Sequence, residues 1–264
     1  MTARTSLPTS LDSLVDDLRS PDPAVRDGGA YSALAALARD GKLDEHLAAL
    51  GARGVDLLSA DEVQARSFGA LLLALLVDRD NRTGRADDEA VRRWRDALIR
   101  WYVAEPDTRG YDEQLGWLHA VAHGADALGE LAASPRFGRA DLAGLLAALV
   151  RRALAPSDEP WLQNEDDRVA VAMMAVLRRD LLDSDEVGGA VDHLASAWRD
   201  AEAGPVGAQT DNTVRLARTL HLQLTLGVRA EPGAEVIHPA VRDEALHALG
   251  SALAELHWFY GSPA

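Results

Sequence analysis

The sequence predicts an all-α protein, a right-handed α-solenoid-like stack of about eleven helices arranged as antiparallel pairs. Hydrophobic residues make up 47% of the chain and aromatic residues only 5%, so the apolar weight falls on Ala, Leu and Val. Ala and Leu favour helices, whereas strands favour aromatic and β-branched residues. Prolines such as Pro106, Pro135 and Pro156 separate the apolar-periodic segments. Because these connections are short, successive helices should pack antiparallel.

The helical periodicity and its stop signals place the helices in chain order. The predicted helices cover residues 11–20, 24–40, 42–50, 60–78, 87–104, 112–133, 139–155, 165–182, 185–203, 211–228 and 239–260. Two segments, 66–77 and 141–154, are apolar on nearly every side, which indicates inner helices covered on both flanks. We expect one domain over 1–264, with an internal hinge near 201–210, where the sequence is AEAGPVGAQT.

Charge and composition limit the classes of partner. The formal net charge is −15, which opposes binding to nucleic acid and to anionic membranes and favours a basic protein partner. The chain has no cysteine, so disulfides and thiolate metal sites are excluded. The longest apolar run, 68–77, is about half of a membrane span. We expect a cytoplasmic protein that binds neither nucleic acid nor membrane.

The predicted helix 112–133 carries the most informative polar residues. On a helical wheel most of its positions are apolar or small, apart from a narrow polar stripe that contains His119, His123 and Asp126. Burying such groups is costly unless they are paired or bind something. Residues at i and i+4 lie one turn apart, so His119 and His123 could share a divalent metal with Asp126 as third ligand.

Three interpretations of this stripe remain open. It is a set of hydrogen-bonded structural residues, a metal-free pocket for a small molecule or peptide, or a metal site. The sequence has no GxGxxG, GxxxxGK[ST], HExxH or GxSxG motif, so the common nucleotide, zinc-protease and serine-hydrolase signatures are absent. If the chain is an enzyme, His119, His123, Asp126 and Glu165 are the candidate catalytic residues.

Several residues outside the stripe also have both a structural and a functional interpretation. Arg109 and Tyr111 lie in the turn 106–112, either as a capped loop or as a pocket lip with a cation. Glu165 and Arg168 begin the helix 165–182, either complementing the helix dipole behind an Asn164 cap or pointing inward toward the stripe. Asn212 is either a helix cap or a ligand contact.

Several of these segments resemble a family of uncharacterised bacterial proteins, grouped as a domain of unknown function with an all-helical, HEAT-like architecture. The resemblance rests on RGY at 109–111, GWLHAVAHGADAL at 116–128 and EDDR at 165–168, and more weakly on 28–37, 66–73 and the helix from Asn212. It adds Trp117 to the candidate ligand-binding residues Arg109, Tyr111, Arg168 and Asn212. The stretch DEQL at 112–115 replaces the more basic, glycine-containing stretch of that family.

Two functions follow from these observations. The first is a helical-repeat protein that binds a small molecule or peptide in a concave pocket lined by His119, His123 and Asp126, with metal-assisted hydrolase or lyase chemistry as its catalytic form. The second is a non-catalytic partner-binding scaffold in which the same residues are structural. HEAT-like folds also include DNA glycosylases with a basic groove, and the net charge of −15 argues against that activity.

Overall fold

The protein is described by a computed structural model that covers residues 7–201, 204–229, 233–257 and 259–261. Over these residues the chain forms eleven α-helices, one π-helical segment and a single two-stranded hairpin, so the predicted all-α class is confirmed. Within the same ranges, no helix is both long and apolar enough to cross a membrane. The chain divides into two compact units, Met1–Arg136 and Phe137–Ala264.

The first unit is built around one long buried helix. Its elements are α1 (Thr9–Asp17), the π-helical segment (Ala24–Tyr31), α2 (Ser32–Arg39), α3 (Leu47–Leu57), α4 (Val63–Thr83), α5 (Asp88–Ala104), β1 (Tyr111–Asp112), β2 (Gly116–Trp117) and α6 (Ala120–Ala133). Helix α4 packs mainly on α6 and α3 and is buried along most of its length. It corresponds to the predicted inner helix 66–77.

The second unit contains the remaining five helices that the structure describes. They are α7 (Arg139–Leu154), α8 (Glu165–Leu177), α9 (Ser184–Arg199), α10 (Ala208–Leu226) and α11 (Arg242–Ala254). Helix α10 contacts all four others. The helices pack mostly against their first and second sequence neighbours. The antiparallel pairing and the right-handed solenoid stay predictions.

The predicted domain organisation is not tested by this division. The expected hinge at 201–210 falls within the second unit, and its residues 202 and 203 lie outside the described residues. Residues 204–207 precede α10, which begins three residues before the predicted helix 211–228. A single domain over 1–264 stays a prediction.

One predicted helix is wrong over its first eight residues. We expected a helix over 112–133, whereas α6 begins at Ala120 and residues 111–117 form the hairpin. Gly116 and His119 both have positive φ, at 71° and 50°, which an α-helix does not accommodate. The helical wheel that placed His119 on one face with His123 and Asp126 therefore does not apply to His119.

Helix α6 itself is enclosed as the pattern predicted. Ten of its fourteen residues are buried, including His123 and Gly124. A Cβ on Gly124 would lie 2.2 Å from a ring carbon of Tyr102, so only glycine allows α5 to approach α6 this closely. Gly124 thus permits close packing of α5 on α6.

Candidate functional site

The hairpin ahead of α6 is shaped by Asp112 and Gly116. Tyr111 pairs with Trp117 and Asp112 with Gly116 in antiparallel register. The Asp112 carboxylate accepts hydrogen bonds from the backbone N–H groups of Gln114 and Leu115, at 2.9 and 3.0 Å, which close the turn. These bonds, with the nearby Arg109, hold the pKa of Asp112 below its usual range.

A buried arginine anchors this hairpin to the start of the unit. Arg26, in the π-helical segment, is fully buried and donates to the carbonyl oxygens of Leu115 at 2.7 Å and Trp117 at 3.3 Å. It also bonds Asp27 and the carbonyl of Ser20. Because a buried guanidinium must satisfy all its donors, these contacts fix where β2 lies.

Arg109 lies beside the hairpin and is held between two carboxylates. It bonds Asp107 and Asp112, each with a shortest distance of 2.7 Å, and its side chain is 38% exposed. The turn therefore holds Arg109 in ion pairs, and its role as the cation of a pocket lip stays a prediction. Its charge is already balanced by these two acids, which favours a positioning role.

His119 links the hairpin to α6 through a left-handed backbone. Its φ and ψ are 50° and 32°, and its N–H, like that of Leu118, donates to the carbonyl of Gly110. Its own carbonyl accepts from the His123 N–H at 2.8 Å. A left-handed histidine is uncommon and costs about 1 kcal/mol, so the surrounding contacts must impose it.

The side chains of six residues form a continuous series, here called the aromatic row. In order these are Tyr111, Trp117, His119, His123, Phe68 and Tyr31, with successive ring centroids 5.0, 4.6, 5.6, 5.1 and 6.1 Å apart. The first two rings of the row are exposed, Tyr111 by 49% and Trp117 by 44%, whereas His123 and Phe68 are buried. The structure thus brings together four residues that the sequence singled out.

The hydrogen bonds of His123 fix its tautomer. Ser67 Oγ lies 2.8 Å from His123 Nδ1 and also donates to the carbonyl oxygen of Leu118. A carbonyl can only accept, so the single hydroxyl hydrogen of Ser67 is used there and its oxygen accepts from Nδ1–H of His123. In the neutral ring, Nε2 is then the basic nitrogen.

Asp126 and Glu130 continue the polar stripe of α6. Both side chains are half-buried. Burial, together with the negative charges of Asp78 and Asp126, raises the pKa of Glu130 to about 7, and Arg82 opposes this only in part. Asp126 therefore has an acidic neighbour one turn along, and its charge is one cause of the raised pKa of Glu130.

Glu165 and Arg168 belong to the second unit, at the start of α8. Glu165 is buried and accepts the N–H of Gln163 at 2.8 Å, and burial raises the pKa of its carboxyl. Asn164 occupies the N-cap position before α8, as expected, in a left-handed conformation, and its side chain makes no capping hydrogen bond. A site shared by Glu165, Arg168 and the stripe stays a prediction.

Asn212 fixes a loop of the second unit. Its side-chain oxygen accepts from the Trp161 N–H at 2.7 Å, and its amide group donates to the carbonyl of Glu159 at 2.9 Å. It lies within α10, so it is not the helix cap that we considered. Both ends of its amide are used by backbone, and a ligand contact by Asn212 stays a prediction.

The metal prediction finds no support in the geometry. Within the part of the chain that the structure describes, no three His, Asp or Glu side chains are grouped so that they could hold a metal ion. His119 precedes α6 instead of extending it, so it lacks the i, i+4 helical placement on which the expected set of His119, His123 and Asp126 depended. A metal site at His119, His123 and Asp126 therefore stays a prediction.

Sequence reasoning missed the residues that support the site from elsewhere in the chain. Arg26, Ser67 and Phe68 contact the hairpin or His123 across 55 to 91 positions, and Arg26 also lies 4.9 Å over the Phe68 ring. No local periodicity encodes such contacts. The available signal was Ser67, which directly precedes the apolar segment 68–77. A buried hydroxyl without a partner would be costly there.

The chain was compared with protein families, curated proteins and solved structures. No curated protein matches it. It is similar to an engineered protein whose crystal structure comes from the Northeast Structural Genomics Consortium, with 14% identity, 93% of this chain and 98% of that chain covered, and a TM-score of 0.45. A family model matches residues 55–222, which include the hairpin and the RGY, GW and EDDR motifs. The chain belongs to the family of proteins of unknown function DUF2785.

Proposed function

We propose that Tyr111 and Trp117 form a platform for the cationic group of a small molecule or of a basic peptide, with His119 directly behind it. The observation that carries this proposal is that two exposed aromatic rings contact each other on a hairpin whose backbone is bonded to the fully buried Arg26. Single exposed apolar residues are normal on a protein surface. An adjacent aromatic pair on an anchored hairpin is a better candidate for a binding surface.

Charge favours a cation over other ligands. Aromatic faces attract cations, and residues 107–113 hold three carboxylates and one guanidinium, which leaves two negative charges beside the platform. The net charge of −15 adds a long-range attraction for positive ligands. The aromatic faces and the negative electrostatic potential therefore both favour ammonium or guanidinium groups.

His123 and His119 supply the polar chemistry behind the platform. The contact with Ser67 leaves Nε2 of His123 as an acceptor in the neutral ring, and His119 stacks between this ring and Trp117. These groups could accept a proton from a bound substrate, which is the basis of the hydrolase or lyase hypothesis. The binding role does not depend on such a reaction.

A non-catalytic scaffold is the second candidate. It is favoured by the burial of His123 and by the hydrogen bonds that join His123 to Ser67 and Ser67 to Leu118. These contacts would serve helix packing equally well. In that case the inner part of the aromatic row would be structural, and the exposed Tyr111 and Trp117 would contact a protein partner. A small cation would then have no measurable affinity.

A titration with matched probes tests the proposal. The probes are 4-phenylbutylammonium and a short peptide with two arginines, followed through the Trp117 indole ¹H–¹⁵N signal. We expect Kd values of about 1 mM, weakened about fivefold by Tyr111→Ala and by Trp117→Ala, since each cation–π contact at an exposed site is worth about 1 kcal/mol. For the Trp117 variant, the affinity is followed by calorimetry.

The control is Tyr260→Ala, which removes another exposed tyrosine, in the second unit. It should leave both affinities unchanged. Binding of the ammonium probe alone would identify a small-molecule site, and binding of the peptide alone a peptide site. If neither probe shifts the Trp117 signal at about 10 mM, where even millimolar binding is nearly saturated, the cation platform is refuted and the scaffold is favoured.

A further inference from the structure

The first unit contains a second feature of ligand-site size, away from the aromatic row. A cavity of about 370 Å³ lies where α3 and α5 end and α4 begins. Its apolar lining includes Val55, Leu58, Ala97 and Trp101, and no residue of the aromatic row lines it. This volume is within the range of small-molecule sites.

Arg66 and Glu105 form an ion pair in the cavity wall, and their polar groups are hydrogen-bonded within the protein. Glu105 is buried and accepts two hydrogen bonds from Arg66, both at 2.6 Å, one from Trp101 Nε1 at 2.7 Å and one from the Asp107 N–H at 3.0 Å. The remaining nitrogen of Arg66 donates to the carbonyls of Ala60 and Asp61. This pair is satisfied within the protein and contributes no net charge to the cavity.

Arg100 is the charged group that remains available to a ligand. It lines the cavity, is exposed, and has neither an ion pair nor a hydrogen bond to any of the described residues. On the same helix, Arg93 pairs with Glu89 and Arg95 with Asp96. The cavity therefore combines an apolar floor with one uncompensated positive charge at its rim.

We propose that this cavity binds a small monoanion with an apolar body, of the aryl-alkyl carboxylate class. The apolar body would lie against Leu58, Ala97 and Trp101, and the carboxylate would pair with Arg100. A guanidinium matches a carboxylate with two parallel hydrogen bonds, which selects this group over a neutral one. The proposal uses none of the residues of the cation platform, so either can fail without the other.

Three probes of equal size and different charge test the ligand class. They are 4-phenylbutyrate, 4-phenylbutanamide and 4-phenylbutylammonium, titrated into the full chain while the indole signals of Trp101 and Trp117 are followed. The Trp101 signal should move with the carboxylate, at a Kd of about 1 mM, and about tenfold more weakly with the amide. The ammonium probe should leave Trp101 unchanged, whatever it does at Trp117.

Two variants locate the site. Arg100→Gln removes the charge and Ala104→Phe places a ring in the cavity, and both positions are exposed, so the fold should tolerate them. Each should weaken 4-phenylbutyrate about tenfold. Arg92→Gln is the matched control, because Arg92 is another exposed arginine of α5 that does not line the cavity.

Each outcome decides the proposal. Loss of carboxylate binding in Arg100→Gln and Ala104→Phe, with normal binding in Arg92→Gln, supports it. Equal affinity of the carboxylate and the amide, equal effects of Arg100→Gln and Arg92→Gln, or an unmoved Trp101 signal in the native protein overturns it. Circular dichroism of each variant shows whether a loss reflects unfolding, and Ala104→Phe would then be replaced by Ala104→Leu.

Discussion

Replacing Glu130 by Gln should stabilise the protein at alkaline pH and leave its stability unchanged in acid. Glu130 is half-buried in α6, and burial with the charges of Asp78 and Asp126 raises its pKa to about 7 from an ordinary 4.5. Gln resembles the protonated carboxyl in shape and carries no charge. The substitution therefore removes the unfavourable ionisation and keeps most of the packing.

The sign and size of the effect follow from linkage. Below about pH 4.5 the carboxyl is protonated in both the folded and the unfolded chain, so Glu and Gln should be equally stable. As pH rises toward 7, the unfolded chain loses the proton first, and the stability of the native protein falls. The pKa difference corresponds to at most about 3 kcal/mol, reached above pH 7.

Urea unfolding at pH 4, 6 and 8 measures this difference directly. The gain in Glu130→Gln should grow steadily across the three values, and the exposed Glu113→Gln, which changes the same charge in the hairpin turn, should show no such trend. Asp78→Asn should reduce the gain, because Asp78 contributes to the raised pKa. A gain that is the same at pH 4 and pH 8 would show that Glu130 does not titrate as argued.

Two further substitutions, one of them with a matched control, test the packing that supports the site. Gly124→Ala should cost about 3 kcal/mol in urea unfolding, because its Cβ would lie 2.2 Å from the Tyr102 ring. Gly144→Ala, inside α7 with open space around it, should instead stabilise by about 0.5 kcal/mol, and equal costs would contradict the packing argument. Arg26→Gln should cost about 3 kcal/mol and shift the Trp117 emission to longer wavelength, whereas an unchanged spectrum would show that Arg26 does not hold the hairpin.

Helix positions could be predicted from the sequence because the information that sets them is local. Apolar periodicity and proline stops placed ten of the eleven α-helices that the structure describes, with bounds displaced by a few residues in most cases. The predicted helix 42–50 overlaps α3 only over residues 47–50, so most of α3 was missed. The near-complete burial of α6 also followed from its composition. The segment 24–40 is helical as expected, but its first eight residues are π-helical, which periodicity does not distinguish from α.

The candidate site could be predicted only in part. The pattern singled out His119, His123 and Tyr111, and the family resemblance added Trp117; the rings of these four residues lie in one row, and their role as a site stays a prediction. The pattern could not predict that Arg26, 91 positions before Trp117, reaches the hairpin, because a single buried contact leaves no periodic signal. It also treated Gly116 as a small helical residue, although a glycine with φ of 71° ends any helix.

The left-handed His119 brings these rings together in a geometry that differs from the predicted helix. In a continuous helix, Trp117 and His119 would be two residues apart and would point to nearly opposite sides. The break at Gly116 and the positive φ of His119 turn these rings toward each other, to 4.6 Å, while His119 still lies 5.6 Å from His123. Only this arrangement joins the exposed pair Tyr111 and Trp117 to the buried His123. The left-handed backbone of His119 costs about 1 kcal/mol. It places the platform in contact with the histidine pair, which a regular helix could not do.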